Sequence, residues 1–546
     1  MLSAPRRPAA ALRRALAAPA LVALGALAAL GALGALGACG AERPVGVTPP
    51  GAGPVVRPTL PPSYRPSGRA AAGDVFVHLF EWRWTDVARE CELVLGPAGY
   101  RAVQVAPPQE HATVAGNPWW VRYQPVSYSL ARSRSGTEAE FRDMVGRCRA
   151  AGVDVYVDAV VNHMTAGSGT GSAGTAYTKY SYPTVPYAQP DFHTPCGIDS
   201  YQVARQVQDC ELVGLADLNT GLASVRQKIA AYLVGLGRLG VAGFRLDAAK
   251  HIQPVQLDSI VALVNQAARA EGRPLPYWFA EVIDYGGEAV TARDYWGLGH
   301  ASGGAVDVTE FKYRGIGDKF IQKGGTQKLS ELRQFSEQSW QVQPGDKAVV
   351  FVENHDTQRQ DGVWYRDGQT YRLAHVWLLG HPYGYPSVMS SYAFDRSSGA
   401  GRDAGPPSDA SGATTPVACA ASLESAAIGQ WVCEHRDPTI RAMVRFRKLV
   451  AGTGVDRPWD NGGNAVAFSR GDRGFVAISR EATALSASVP TGLAAGTYCD
   501  LLTGGRQGTG AGATCAGTRV VVDAGGAARL ALPANTAVVL HVDARL

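Results

Sequence analysis

The chain has 546 residues, which exceeds one typical domain, so we expect a large domain together with an accessory domain. The formal net charge is +5, and the Arg and Lys residues are spread along the chain rather than clustered. This distribution excludes the concentrated basic surface that nucleic-acid binding requires.

The first 39 residues carry the pattern of an export signal. Arg6, Arg7, Arg13 and Arg14 precede a run of Ala, Leu and Gly over residues 15–38, which is the basic-then-apolar layout of a secretory signal. The run is also long enough to be a membrane-spanning anchor. Its many Gly and Ala residues make it only weakly apolar, which favours cleavage.

Residues 36–39, with the sequence LGAC, resemble a bacterial lipobox. In such a motif Cys39 would be lipidated and would become the new N-terminus; the alternative is ordinary signal cleavage near Ala38. The chain contains nine Cys, so at least one is unpaired, and lipidation would use it. Residues 40–73 are rich in Pro, Gly and Ala and are predicted to form a disordered tether.

Eight apolar, β-prone runs alternate with helical stretches in the next part of the chain. Such alternation predicts parallel strands joined by crossover helices, and eight strands are enough to close a barrel. The runs are 75–80, 102–106, 153–161, 243–248, 277–282, 305–311, 348–353 and 385–390.

Two other regions depart from this alternation. Residues 164–218, between the third strand and the next helix, are dense in Gly, Ser, Thr, Tyr and Pro, and a stretch this long without helical period is usually functional or a small subdomain. From about Trp459 the pattern changes to short β runs separated by turn residues, at 465–468, 475–478, 520–522 and 537–542.

Three acidic residues stand at the ends of strand-like runs: Asp247 after GFRL, Glu281 after YWFA and Asp356 after FVENH. In a (β/α)₈ barrel the C-terminal ends of the strands form the active-site mouth. Carboxylates gathered there suggest glycoside hydrolysis, which needs one carboxylate to attack the sugar carbon and one carboxylic acid to protonate the leaving oxygen. Taken singly, each acid could instead be a strand-end cap or an ion-pair partner.

The segments around these acids resemble the signature regions of the α-amylase family of glycoside hydrolases. They read DAVVNH at 158–163, GFRLDAAKH at 243–251, FAEVID at 279–284 and FVENHD at 351–356. Further matches are HLFEW from His78, NPWWVRYQPVSY from Asn117, VTEFKY from Val308 and VMSSY from Val388. The resemblance extends from about residue 75 to the C-terminus and is to the animal and actinobacterial type.

This resemblance implies a fold and a set of domain boundaries. The fold is a (β/α)₈ TIM barrel with an inserted domain B after strand 3 and a C-terminal antiparallel β-sandwich, domain C. The barrel would comprise residues 74–163 and 219–455, domain B residues 164–218, and domain C residues 456–546.

By the same resemblance Asp247 is the nucleophile, Glu281 is the general acid and base, and Asp356 holds hydroxyls of the reacting sugar. Arg245 lies two residues before Asp247, so both side chains should project to one side of the strand, where the guanidinium would keep the carboxylate ionised. Glu281 must carry a proton at rest. Its apolar neighbours Trp278, Phe279 and Val282 are the kind of setting that raises the pKa of a carboxyl group.

A further group is predicted to bind the glucan. The aromatic side chains would stack on sugar rings, although core packing is the alternative for them, and His78 and Gln124 would bind hydroxyls. Lys250 and His251 are expected on the leaving-group side, and Asp158 is expected to be a buried support paired with arginine. The predicted substrate-binding residues are His78, Trp119, Trp120, Tyr123, Gln124, His163, Arg245, Lys250, His251 and His355.

Calcium is the cofactor that the resemblance implies, since this ion prefers several oxygen ligands. The matched ligands are the side chains of Asn162 and Asp217 and the main-chain carbonyls of Gln208 and His251. Animal-type relatives bind an activating chloride through Arg245, Asn354 and a second Arg at the position of Ser387. Because that second guanidinium is missing here, chloride is not expected as a cofactor.

The eight cysteines after Cys39 are expected to form disulfides in an oxidising compartment. Their connectivity does not follow from the sequence alone, and zinc is the alternative, although no Cys-x-x-Cys spacing occurs. The pairing that looks like that of similar α-amylases is Cys91–Cys148, Cys196–Cys210, Cys419–Cys433 and Cys499–Cys515.

Together these features predict a retaining α-amylase that hydrolyses internal α-1,4-glucosidic bonds in starch, glycogen and related glucans. The alternatives are a maltooligosaccharide-forming amylase or glucanotransferase on the same scaffold, or a non-catalytic glucan-binding lipoprotein. The protein is expected to be an exported monomer, either secreted or held at the cell surface, with a lipid on Cys39 as its one link to a membrane.

Overall fold

The computed structural model describes Leu60, Tyr64 and residues 66–546. The predicted signal, Cys39 and most of the tether therefore lie outside the described residues. Within the described part of the chain, no helix has both the length and the apolar composition needed to cross a bilayer.

Eight parallel strands close into a barrel, which confirms the predicted fold class. Each strand pairs with the next along the chain, and the eighth pairs with the first, with Phe76 opposite Ser387. Every strand is buried throughout or nearly so, since helices cover the outside of the barrel and side chains fill its interior. The strands are β1 (Phe76–Leu79), β2 (Ala102–Val105), β3 (Asp154–Ala159), β4 (Gly243–Leu246), β5 (Tyr277–Ala280), β6 (Val306–Thr309), β7 (Ala348–Val350) and β8 (Tyr385–Ser390).

Most helices around the barrel bury one face, whereas Gln369–Gly380 is buried on almost every side. In Glu138–Ala150 the buried residues Phe141, Met144, Val145 and Cys148 follow the helical repeat. Its N-terminus is fixed by a capping box between Thr137 and Glu140. The larger helices are Trp84–Glu90, Glu138–Ala150, Ala223–Arg238, Pro254–Ala270, Arg314–Phe320, Gln369–Gly380 and Pro438–Leu449.

The segment between β3 and the helix Ala223–Arg238 forms a small structure of its own. His163–Met164 pairs antiparallel with Ala216–Asp217, which joins the beginning of the segment to its end. Between them lie a hairpin of Ser168–Thr170 with Ala176–Thr178 and the short helix Ala204–Asp209.

The C-terminal part consists of two four-stranded antiparallel sheets, as predicted. Apolar side chains from both sheets, such as Phe475 and Leu530, share one core, which is the packing of a β-sandwich. One sheet contains Val455–Asp460, Ala465–Arg470, Gly474–Ser479 and Thr536–His541, and the other contains Leu485–Pro490, Gly496–Cys499, Arg519–Val522 and Ala527–Leu532.

All four expected disulfides are present: Cys91–Cys148, Cys196–Cys210, Cys419–Cys433 and Cys499–Cys515. Disulfides persist in oxidising compartments. The four bonds are therefore consistent with an extracellular location.

Aromatic side chains fill the N-terminal half of the barrel. Phe76, Tyr156, Phe279 and Tyr385 pack with ring centroids 4.8–6.5 Å apart. These rings fill the barrel interior below the C-terminal ends of the strands, where the active sites of such barrels lie.

Candidate active site

The three predicted acids converge at the C-terminal end of the barrel. Asp247 directly follows β4 and Glu281 directly follows β5. Asp356 was expected at the end of the seventh strand, but β7 ends at Val350, and Asp356 instead opens the 3₁₀ turn Thr357–Arg359.

One guanidinium holds three carboxylates together. Arg245 Nη1 lies 2.5 Å from Asp158 Oδ1 and 2.8 Å from Asp247 Oδ1, and Arg245 Nη2 lies 2.5 Å from Glu281 Oε1. All four side chains are almost completely buried. The register of β3, β4 and β5 explains this geometry, because Arg245 stands opposite Asp158 on one side and Phe279 on the other.

Burial makes the carboxyl groups of Asp158, Asp247 and Asp356 difficult to ionise. It raises the pKa of Asp247 well above the usual range, and the charges of Glu281 and Asp158 add to the rise while Arg245 opposes it. Burial also raises the pKa of Asp356 to about 7, again with a contribution from Glu281. The charge of Asp158 also raises the pKa of both Asp247 and Asp356, so the ionisation of these three aspartates is linked.

The predicted apolar setting of Glu281 is wrong. Trp278 points outward and donates its Nε1–H to a side chain of the helix Pro254–Ala270, while Phe279 packs into the aromatic layer below. The Glu281 carboxylate meets Arg245 and accepts a hydrogen bond of 2.9 Å from the backbone N–H of Ala248. Alternation along the strand turns Trp278 to the face opposite Glu281, whereas Phe279, two residues before Glu281, shares its face but lies one layer deeper in the barrel.

An aromatic wall stands beside the acids. The Tyr123 ring stacks on the His355 imidazole, with centroids 5.1 Å apart and planes 3° apart, and Trp119 contacts the same imidazole edge-on. The Tyr123 hydroxyl donates to Asp158 Oδ2 at 2.9 Å. Trp119 and Tyr123 are each 9% exposed, and Trp120 is partly buried, so these rings combine packing with a small accessible surface.

The predicted polar contacts divide into two groups. His78 and His355 are buried neighbours, and among the described residues the Nε2 atom of His78 has no hydrogen-bond partner. Burial and the charge of Arg245 lower the pKa of both imidazoles, which are therefore neutral. By contrast, His163 Nε2 lies 2.9 Å from the Tyr123 carbonyl oxygen, and Gln124 Oε1 accepts a hydrogen bond from Thr165.

Residues 459–543 match the model of the α-amylase C-terminal all-β domain. The chain is 42% identical over 491 residues to an α-amylase of Tribolium castaneum, covering 87% of this chain and 96% of that one. It is 43% identical over 500 residues to pancreatic α-amylase 2a5 of Mus musculus, covering 86% and 94%.

The chain belongs to the α-amylase family.

A solved structure agrees with this assignment. A mutant α-amylase I of Eisenia fetida in complex with maltohexaose is 39% identical, with a TM-score of 0.77 over 86% of this chain and 97% of that chain. The protein is accordingly a glycoside hydrolase, an α-amylase that acts on internal α-1,4-glucosidic bonds.

On the other side of Glu281, this α-amylase has residues that the sequence did not indicate. Lys250 Nζ donates to the Ile283 carbonyl oxygen at 2.6 Å and forms an ion pair with Glu288. The same ammonium lies 5.1 Å from the centre of the Tyr201 ring. Neither Glu288 nor Tyr201 could be singled out beforehand, because both lie on irregular loops without a periodic pattern.

The residues proposed to hold calcium come from three segments that meet beside the barrel. Asn162 and Asp217 are adjacent because His163 pairs with Asp217. The backbone N–H of Leu218, the residue after Asp217, donates a hydrogen bond to the Asn162 carbonyl oxygen. The His251 Nδ1 atom lies 2.7 Å from the carbonyl oxygen of Val207, which places the next residue, Gln208, beside His251.

The donor set fits a hard cation. Asp217 is 2% exposed, and its Oδ1 atom has no hydrogen-bond partner among the described residues. An isolated buried carboxylate oxygen is costly without a cation or a donor, and amide, carboxylate and carbonyl oxygens are what Ca²⁺ takes. The other oxygen, Oδ2, lies 2.6 Å from His193 Nδ1, a contact that sequence analysis missed.

Proposed function

We propose that this α-amylase cleaves α-1,4-glucosidic bonds with retention of anomeric configuration, with Asp247 as nucleophile and Glu281 as acid and base. One observation carries the proposal: the two carboxylates contact neighbouring nitrogens of the same Arg245 side chain. They are therefore close together, which supports the short carboxyl separation of retaining enzymes rather than the wider gap that admits a water molecule.

In the first step Asp247 attacks the anomeric carbon while Glu281 gives its proton to the glycosidic oxygen, so that the leaving sugar departs with a new hydroxyl. In the second step Glu281 takes a proton from water, and the water oxygen displaces Asp247. Arg245 supports the negative charge of Asp247 when the carboxylate is free. Asp356 would bind hydroxyls of the reacting sugar and favour its distortion.

The aromatic wall and the two neutral histidines would hold the sugar that is attacked. His78 and His355 can each offer a ring nitrogen without carrying charge, and Trp119 and Tyr123 offer apolar ring surface. His163 and Gln124 already have protein partners in the ligand-free state. Their sugar contacts would require these hydrogen bonds to be shared or exchanged. Lys250 and His251 would serve the leaving-group side, and Trp120 would extend the wall.

The substrate class follows from the relatives. We infer that the protein binds starch, glycogen and maltooligosaccharides, as the maltohexaose complex of the Eisenia fetida enzyme suggests. Product chromatography on soluble starch would separate this activity from the alternatives of a small-oligosaccharide producer or a glucanotransferase.

Calcium would be held by Asn162, Asp217 and the carbonyls of Gln208 and His251, where it would tie the inserted segment to the barrel. Chloride is not expected to activate the enzyme. Arg245, Asn354 and Ser387 border one small cavity below the acids, and a serine there supplies no positive charge to stabilise an anion. Equal activity in chloride and in a chloride-free buffer of matched ionic strength would support this; a clear rise with chloride would contradict it.

We also propose an export route and the limits of three domains. The N-terminal signal and lipobox support an exported protein that is lipidated at Cys39 or released after cleavage, and we propose that it is a monomer. The barrel is assigned to residues 74–163 and 219–455, domain B to 164–218 and domain C to 456–546. Mass spectrometry of the mature N-terminus would distinguish a diacylglyceryl cysteine from an unmodified cleavage product.

The stereochemical course is the direct test of the mechanism. Proton NMR during early hydrolysis of maltopentaose should show the α-anomer forming first, with the β-anomer appearing later by mutarotation. First formation of the β-anomer would contradict a role for Asp247 as nucleophile, because a single displacement inverts the configuration.

A further inference from the structure

Exposed apolar side chains gather on one side of Glu281. Tyr201, Ile283 and Tyr285 are 38%, 37% and 48% exposed, although large apolar residues elsewhere in the barrel are mostly buried. They lie on two segments that are joined, since the Ala289 N–H donates to the Tyr201 carbonyl at 3.0 Å. An apolar patch beside a polar site marks a binding surface more often than an isolated exposed residue does.

The loop that carries Tyr285 is held in place. Asp284 is buried, and its two carboxylate oxygens accept hydrogen bonds from the N–H groups of Gly286 and Ala292 at 2.8 and 3.0 Å. Turning Asp284 inward leaves Ile283 and Tyr285 facing outward. The Ile283 carbonyl is in turn fixed by Lys250.

The Tyr285 ring rests on the barrel rather than projecting freely. Its centroid lies 6.0 Å from that of the buried Phe311, with the planes at 79°. Burial raises the pKa of Tyr285, whereas the charge of Arg314 and a hydrogen bond with it lower that pKa. One side of the ring is packed and about half of the side chain is open, which is the condition for stacking without a large loss of side-chain entropy.

The position of the loop after Glu281 indicates which part of the substrate it would contact. In the proposed mechanism Glu281 protonates the glycosidic oxygen, and the sugar on the far side of that oxygen is the leaving group. The chain continues from Glu281 directly into Ile283 and Tyr285. The aromatic wall of Trp119 and Tyr123 is instead built from the loop after β2 and borders Asp158.

We propose that Tyr285 is a specificity-determining residue whose exposed ring stacks on a glucosyl unit of the leaving group. This inference rests on the proposed function, because it takes the side of the cleft from the role of Glu281. The contact would favour cleavage positions that leave several glucosyl units on the leaving-group side. It would contribute to the choice of bond rather than to the chemistry at the anomeric carbon.

The test compares two substrates in the wild type, Tyr285→Ala and Tyr285→Phe. Reducing-end-labelled maltohexaose reports which bond is cut, and α-maltosyl fluoride reports chemistry with fluoride as leaving group and no sugar on that side. In Tyr285→Ala we expect kcat/KM for maltohexaose to fall about 3- to 10-fold, as for loss of one aromatic contact. The labelled products should also become shorter. Hydrolysis of α-maltosyl fluoride should not change, and Tyr285→Phe should behave like the wild type.

Several outcomes would overturn the inference. An unchanged cleavage pattern in Tyr285→Ala would show that the ring binds no leaving-group sugar. An equal loss on α-maltosyl fluoride would place Tyr285 in the chemistry or in the fold, and a loss in Tyr285→Phe would assign the effect to the hydroxyl group. Failure of the wild type to hydrolyse either substrate would instead refute the proposed function, which keeps the two failures distinct.

Discussion

The two ends of the barrel both bury carboxyl groups, but they do so differently. At the C-terminal end, Asp158, Asp247 and Glu281 share the charge of Arg245. At the N-terminal end, Asp307 on β6 accepts hydrogen bonds of 2.8 and 2.9 Å from the hydroxyls of Ser67 and Tyr277. A buried acid therefore does not by itself indicate catalysis.

The two ends differ in the groups that surround their buried acids. Burial raises the pKa of Asp307 to about 7, and the neutral hydroxyl donors only partly oppose this. The Asp307 carboxyl group lies below the aromatic layer, next to the segment that contains Ser67. The upper cluster has the shared Arg245 guanidinium, a His78 ring nitrogen without a hydrogen-bond partner among the described residues, and exposed aromatic surface nearby. This is the division expected in a barrel, with function at the C-terminal end and stability at the other.

The largest difference in activity should appear when the same substitution, Asp to Asn, is made at each end of the barrel. Asp247→Asn removes the proposed nucleophile and should lower kcat on soluble starch by at least about 10³-fold, since only the other catalytic groups would remain. Asp307→Asn should leave kcat within about twofold of the wild type, because no reacting atom is near it. Reducing-sugar release measures both. Similar losses in the two variants would remove the distinction between the ends.

The next largest effect should be the loss of stability on removing the Arg245 guanidinium, which the three carboxylates share. Arg245→Gln leaves three buried carboxyls without a counter-charge, which should lower the free energy of unfolding by about 3–5 kcal/mol at neutral pH. Urea denaturation measures the change. The loss should be smaller at pH 5 than at pH 8, because protonation relieves the uncompensated charge. A variant as stable as the wild type at pH 8 would show that Arg245 does not neutralise the cluster.

Calcium should stabilise the protein through the inserted segment. At a calcium concentration 100 times the dissociation constant, the wild type should gain about 2.7 kcal/mol of unfolding free energy. Asp217→Asn should gain much less, since it removes the buried carboxylate charge from the ligand set. Thermal unfolding with added calcium and with a chelator measures both, and Asp209→Asn, at a half-buried neighbour, serves as the control. Equal responses of Asp217→Asn and the wild type would place the ion elsewhere.

The smallest effect should be a change in the pH dependence of thermal stability on substituting Asp307 at the N-terminal end of the barrel. The pKa of Asp307 in the folded state, about 7, lies above the ordinary value of 3.8. Folding therefore favours the protonated form, and this group's contribution to stability is lost as the pH rises from about 4 towards 7. Asp307→Asn should remove that loss, so its thermal midpoint should gain on the wild type between pH 5 and pH 8. A constant difference across this range would contradict the raised pKa.

Much of the fold could be predicted because parallel strands are buried on both faces and leave continuous apolar runs. All eight barrel strands fell within the predicted runs, and the end of β5 located Glu281 at the barrel mouth. The contacts of Glu281 could not be predicted in the same way. They depend on the direction of Trp278 and on the left-handed backbone of Ala248, which has a φ of 48°.

The site residues that sequence analysis missed have a common physical origin. Glu288 and Tyr285 lie on a loop whose shape depends on the side-chain bonds of Asp284. His193 meets Asp217 only because the ends of the inserted segment pair with each other. Ser67 and Asp307 are 240 residues apart in sequence. Neither apolar periodicity nor local spacing carries information about such contacts.

The sequence by itself determined the alternation of strands and helices, the positions of Asp247 and Glu281 at strand ends, and the family resemblance. The first two follow from local side-chain chemistry and from the period of the apolar residues, and the resemblance rests on the matched motifs. Only the tertiary structure decided that one guanidinium would serve three carboxylates, and that Tyr285 would face open space beside Glu281. Burial and the register between strands set those relations, because a charge removed from water is governed by the groups that surround it in space rather than by its neighbours along the chain.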